Sequence, residues 1–175
     1  GAIGAAAALA MILTRSGALD EAQALGERVL RDSREVFGAT ALDTLTAQRQ
    51  LAATLYVRGD ATGALVQQRE AASGLAQRLG STHPEALLAR GEQGTMALAL
   101  GELAEAEAAL LPAIEGLASQ LPADHRALLS LREAALRLRI AQGRQEEARG
   151  LLATLWPQVQ AKHGPVSVGA AAIAK

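Results

Sequence analysis

The sequence predicts an all-α solenoid, a row of helical hairpins stacked side by side. Three observations carry that prediction. Gly17, Gly59, Gly101 and Gly143 lie 42 residues apart, and each is followed five residues later by an alanine: Ala22, Ala64, Ala106 and Ala148. A period of about 20 to 50 residues marks units that bury their apolar faces only by stacking on neighbours. Within each unit the apolar residues recur at helical spacing i, i+3, i+4, i+7. The apolar content is mostly alanine and leucine, with 2% aromatic residues. Alanine loses no side-chain entropy in a helix and lets neighbouring helices approach closely.

Aligned on the four glycines, the chain reads as alternating helices. Helix A of successive units falls at 1–15, 41–57, 83–99 and 125–141, and helix B at 18–36, 60–78, 102–120 and 144–162. The repeated glycine stands at the turn between them, where a helix end favours a residue that accepts positive φ. The whole chain, 1–175, is one array with repeats at about 1–38, 41–80, 83–122 and 125–163. A further helix is expected at 166–175, in the phase of helix A. It either caps the stack or leads into more repeats of a longer parent.

The B helices carry in-phase apolar sets: Val29, Ala71, Ala113, Leu155; Leu30, Ala72, Ile114, Trp156; Leu75, Leu117, Val159; and Phe37, Leu79, Leu121. The A helices carry Leu45, Leu87, Leu129, then Tyr56, Leu98, Ile140. Tyr56 and Trp156 align with aliphatic residues and are therefore expected in the core. Between units, Thr82 with Glu85 reads as a capping box with Pro84 in the first turn, Thr40 with Asp43 repeats the cap, and Asp124 caps the next helix. Pro112 and Pro157 fall inside helix B, and a bend is expected at Pro112.

Charge and composition exclude several functions. Seventeen basic and eighteen acidic residues nearly cancel, and no basic stripe of the kind that binds nucleic acid is present. There is no cysteine, so disulfides and thiolate metal sites are ruled out. That leaves cytosol and periplasm both open; a cytoplasmic location is the working expectation. The apolar opening, Gly1 to Leu13, is too short for a membrane span and lacks the basic start of a signal peptide. His83, His125 and His163 fall at linkers or helix ends, where capping and packing explain them, so no metal or other cofactor is expected. Glu146 and Glu147 suit a helix N-terminus rather than a catalytic pair. Gly91 and Gly94 fit close helix packing rather than a phosphate loop. No nucleophile with a base stands out, and no enzyme is expected.

The residues Leu51-Ala52, Tyr56, Gly59-Asp60, Ala64 and Leu79-Gly80-Ser81-Thr82-His83-Pro84 resemble tetratricopeptide repeats of the long, kinesin-light-chain-like type. The leucine-glycine to histidine-proline linker is whole only at the start of the third unit. The fourth keeps Leu121 and His125 but has Pro122 and Arg126. The resemblance covers nearly all of the chain. It implies a right-handed superhelix with an inner wall of A helices, along which relatives bind peptide segments. The carboxylate clamp of co-chaperone relatives uses lysine and asparagine on the A helices, and the four complete A helices here contain neither.

The inner wall follows from the helix A positions off the apolar stripe. They are Thr46, Arg49, Gln50, Ala53 and Val57; then Leu88, Gly91, Glu92, Thr95 and Ala99; then Ser130, Glu133, Ala134, Arg137 and Ala141. The first unit supplies Gly4, Ala7, Ala8, Met11 and Arg15. The candidate groove residues are Thr46, Arg49, Gln50, Ala53, Glu92, Thr95, Ser130, Glu133 and Arg137. Arg49 and Arg137 suit acidic groups of a ligand, and Glu92 and Glu133 basic ones. The same positions also fit a plain solvated face. The expected function is a non-catalytic scaffold holding a peptide or protein segment, with no nucleic acid or membrane as partner. The competing expectation is a regulatory or sensor module of a larger bacterial signalling protein, such as a kinase, transcription regulator or NTPase. Exposed apolar ends suggest a homodimer through the terminal helices.

Overall fold

The computed structural model describes residues 1–163, with side chains through Pro157. The helix expected at 166–175 lies outside the described residues. Eight helices and no strands make up the described chain: α1 (Ala2–Ser16), α2 (Leu19–Phe37), α3 (Leu42–Arg58), α4 (Ala61–Leu79), α5 (Pro84–Ala99), α6 (Leu103–Ala118), α7 (Arg126–Ala141) and α8 (Gln145–His163). Odd-numbered helices are the A helices and even-numbered ones the B helices. Every helix packs on the next in the chain, and α1 also meets α3, as α5 meets α7.

The repeated glycines do what their spacing implies. Gly17, Gly59, Gly101 and Gly143 have φ of 87°, 95°, 75° and 72°. At Gly59 the left-handed conformation lets its N–H reach the Tyr56 carbonyl and that of Asp60 the Leu55 carbonyl, closing the last turn of α3. Asp60 then caps α4 by accepting from the Gly63 N–H at 2.8 Å. The in-phase alanines sit where helices of a hairpin cross: Ala22, Ala64 and Ala106 have no exposed surface. A larger side chain there would push the two helices apart.

The linker caps sit one residue later than the sequence suggests. His83, not Thr82, caps α5, its Nδ1 accepting from the Glu85 N–H at 3.2 Å, with Pro84 at the first helical position. Ala41 and His125 precede α3 and α7 without a side-chain cap bond. At α3 the work is done inside the helix: the Thr44 hydroxyl donates to the carbonyls of Gly38 (2.8 Å) and Ser33 (3.1 Å), tying linker to helix.

Pro112 does not end α6. Lacking an N–H, it leaves the Ala108 carbonyl one turn back without its helical donor. Arg90 of α5 supplies the missing bond, its Nη2 donating to that oxygen at 2.9 Å.

One hydrophobic cluster runs from Val29 and Leu30 through Leu51, Leu65, Met96 and Leu110 to Leu138. Smaller clusters form around Leu45 with Leu75, and around Leu136 with Leu155. The expected core sets are buried at Val29, Ala71, Ala113, Leu155, Leu75, Leu117, Leu45 and Leu87. Tyr56 and Trp156 are half-buried. Phe37 and Ile140 depart from the pattern, being 47% and 48% exposed. Ion pairs lace the units together: Arg34 with Glu70, Arg58 with Asp20, Arg69 with Glu102 and Glu105, and Arg139 with Glu107.

Candidate peptide-binding groove

The A helices do not form an even wall. Between α1 and α3, with α2 behind them, lie two adjoining hollows. One, of about 520 Å³, is lined by Ile3, Gly4, Ala7, Val29, Ser33, Phe37, Thr46 and Gln50. The other, of about 300 Å³, is lined by Ala7, Met11, Arg15, Arg49, Gln50, Ala53, Thr54 and Glu92. They share Ala7, Val29, Ala47 and Gln50, so together they make one trough along the wall.

Residue size explains the opening. Ser33 stands where Leu75 and Leu117 fill the core of the next two units. Opposite it, α1 offers only Gly4 and Ala7, where α3 has Thr46 and Arg49. A Cβ added at Gly4 would meet no other atom within 4 Å. Ser33 is 1% exposed, and its hydroxyl has no partner among the described residues. At the floor the Thr14 and Thr54 hydroxyls share a hydrogen bond of 2.8 Å, which holds α1 and α3 in register.

The wall closes further along. A Cβ on Gly91 would lie 2.5 Å from Leu131 Cδ1, so α5 and α7 already interlock there. Ala134, expected on the wall, is 4% exposed. Thr95 is half-buried, and its hydroxyl donates to the Gly91 carbonyl of its own helix at 3.1 Å. Ser130, Glu133 and Arg137 are exposed on α7 and line neither hollow. Five candidates therefore meet around the trough: Thr46, Arg49, Gln50, Ala53 and Glu92. The other four stand apart from it.

Most of the candidate charges are engaged with one another. Arg49 spans from α3 to α5, with Nη1 2.7 Å from Glu85 and Nε 3.2 Å from Glu92. Gln68 of α4, wholly buried, donates to Glu92 at 3.0 Å and to the Ala89 carbonyl at 2.8 Å. Burial pushes the Glu92 carboxyl above its ordinary range, against the pull of Arg49 and Gln68. Arg137 pairs with Glu133 one turn away at 2.5 Å. Arg15 has no ion-pair partner among the described residues, which leaves it as the free cation at the rim of the trough. Among the described residues no three His, Cys, Asp or Glu side chains come together as metal ligands. No described helix is long and apolar enough to cross a membrane.

The residues that helix A phase could not supply are Val29, Ser33 and Phe37, all on α2. Their signal was the lone serine in a leucine register.

Residues 3–40 and 44–85 match the family model described as tetratricopeptide repeat. Among solved structures, BtubC (BKLC) from P. vanneervenii superposes with a TM-score of 0.79 at 16% identity, over 94% of this chain. The chain spans 66% of the length of that protein. A Podosopora anserina putative kinesin light chain with nearly identical TPR-like repeats gives a TM-score of 0.56 at 19% identity, covering 93% of this chain and 97% of that one. A variant of that same protein gives 0.58 at 21% identity, with 91% and 95% covered. The sequence matches no curated protein significantly.

The chain is thus an α-solenoid of stacked helical hairpins. Its first two units match the tetratricopeptide repeat model by sequence, and the other two continue the same fold, which is similar to that of kinesin-light-chain-like repeats.

Proposed function

We propose that this protein is a non-catalytic scaffold that holds a segment of a partner protein in the trough between α1 and α3. The adjacency of the two hollows carries this reading: about 520 Å³ beside about 300 Å³, with four lining residues in common, gives room for several consecutive side chains. The apolar end, around Ile3, Val29 and Phe37, suits an aliphatic or aromatic side chain. The far end, with Arg15 unpaired, suits an acidic side chain. Arg49 and Glu92 shape the rim and already neutralise each other, so they orient rather than attract. The site narrows to the first two units, with α7 contributing no contact. Such a scaffold works where its partners are, in the cytoplasm on this account, and needs no cofactor.

The test is a displayed random-peptide library selected against the chain. Peptides recovered on the native protein are expected to bind the Ala53→Trp variant at least about tenfold more weakly, because the indole fills the second hollow. Ala104→Trp, on the exposed face of α6, should leave affinity unchanged. Equal loss in both variants, or in neither, would remove the trough from consideration.

A further inference from the structure

Three polar groups line the larger hollow without a bond to any described residue. Ser33, 1% exposed, presents a hydroxyl that has no partner. Asp43 is exposed in the same lining, and no described residue pairs with its carboxylate or donates to it. The side-chain amide of Gln50, half-buried, is equally unengaged. A buried hydroxyl left unbonded carries a desolvation cost, which a ligand group bonding to it would remove.

The repeat indicates which chemistry these groups would receive. One unit on, Arg49 of α3 bridges Glu85 (2.7 Å) and Glu92 (3.2 Å) of α5. The equivalents between α1 and α3 are Ala7, Asp43 and Gln50. The acceptors are kept there, but the side chain that would bridge them ends at a methyl group. Between α5 and α7 the equivalents are Gly91, Ala127 and Ala134, so cation and acceptors are lost together. Of the three intervals, the first alone keeps an acid without its cation. It also lacks aliphatic bulk, because Ser33 stands where the later units have Leu75 and Leu117.

We propose that the larger hollow takes an arginine side chain of the partner segment, which supplies from outside the cation that Ala7 does not; this rests on the trough being the peptide site. The stem of the arginine lies along Ile3, Val29 and Phe37 and provides the aliphatic bulk that this end calls for. Its guanidinium donates to the Asp43 carboxylate and to Gln50 Oε1, as Arg49 does to Glu85 and Glu92. Five N–H donors leave one for the Ser33 hydroxyl oxygen. Lysine fits less well, because its ammonium lacks the planar fork and is more strongly hydrated. The segment also acquires a direction. Arg15 stands fourteen positions beyond Gly1, the repeat equivalent of Asp43. At 1.5 Å per residue that is about 21 Å of helix, the length of about six residues of extended chain. The segment therefore carries an arginine at one end and an acidic residue about six positions away, always on the same side.

Library peptides that bind the native chain and are weakened by Ala53→Trp serve as probes. They should share an arginine and, about six positions away, an acidic residue. Fluorescence anisotropy of one labelled peptide then reads the contacts. Asp43→Arg should weaken it at least about fivefold. The same peptide with its arginine changed to glutamate should lose affinity for the native chain and regain it on Asp43→Arg, an exchange that a misfolded variant could not produce. Ala7→Arg, which rebuilds within the chain the pair made by Arg49 and Glu85, should also weaken the original peptide at least about fivefold. Peptides that respond to Ala53→Trp but share no arginine, or that are indifferent to Asp43→Arg and Ala7→Arg, overturn this inference and leave the trough standing. Peptides that Ala53→Trp does not weaken remove the trough, and the arginine site with it.

Discussion

Substituting Gly94 by alanine probes the helix packing on which the array depends. Gly94 lies inside α5 and is buried against α6. A Cβ there would stand 2.7 Å from Leu110 Cγ, 3.0 Å from the Leu110 backbone nitrogen and 3.1 Å from the Ala106 carbonyl oxygen. Two of these neighbours are main-chain atoms of α6, so no rotamer change can relieve them. Alanine in place of glycine inside a helix gains about 0.5–1 kcal/mol of backbone entropy. Overpacking a close interface costs about 1–3 kcal/mol. The second effect should win, leaving Gly94→Ala less stable by about 1–2 kcal/mol. Gly150, in α8, has no neighbouring atom within 4 Å of the same added carbon. There only the entropy gain applies, and Gly150→Ala should be more stable by about 0.5–1 kcal/mol. Urea unfolding followed by far-ultraviolet circular dichroism measures both. A Gly94→Ala variant as stable as the native chain would refute the claim that α5 and α6 touch backbone to side chain at this point.

Further outcomes follow from single contacts. Gly59→Ala should cost about 1 kcal/mol, because its φ of 95° is strained for any residue with a Cβ; thermal unfolding reads it. Arg90→Ala should cost about 0.5–1 kcal/mol in the native background but almost nothing beside Pro112→Ala, which restores a helical donor to the Ala108 carbonyl; a double-mutant cycle by urea unfolding measures the coupling. Gln68→Ala should cost about 2 kcal/mol, and Gln68→Leu under about 1, since the amide Oε1 has no partner and Leu110 is fully buried at the equivalent position; the two urea midpoints decide. The Arg69 hydrogen bond holds Glu105 at about 2, and the Arg139 bond holds Glu107 at about 2, both below the usual 4.5. A carboxylate lowered on folding stabilises above its unfolded pKa and loses that contribution as pH falls through its folded one. Stability should therefore hold from neutrality to about pH 5 and fall between about 4.5 and 2, with a shallower fall in Glu105→Gln/Glu107→Gln; a pH series of urea midpoints shows it.

The helices were legible because their punctuation is physical. Gly17, Gly59, Gly101 and Gly143 mark turns that only positive φ can close, and each of the eight described helices begins and ends within two residues of its expected bounds. The caps were less so. A histidine Nδ1 replaces the hydroxyl expected at Thr82, and Thr44 acts from within its helix. Neither follows from the usual cap pattern. Thr46, Arg49, Gln50, Ala53 and Glu92, which the register sets on one wall, all line the two hollows. What the register could not convey is which interval stands open. That depends on distances between helices, set by Ser33 on one side and by Leu131 against Gly91 on the other. The pairing of Arg49 with Glu85 and Glu92 was equally hidden, since those residues lie on different helices and only the stacking geometry brings them together.

Backbone amide chemical shifts of the isotope-labelled chain, recorded while a library-selected peptide is added, examine the trough most directly. The largest changes are expected at Ala7, Met11, Gln50 and Ala53, with the amides of α7 unmoved. Changes centred on α7, or spread over the outer faces of the B helices, would contradict a trough between α1 and α3.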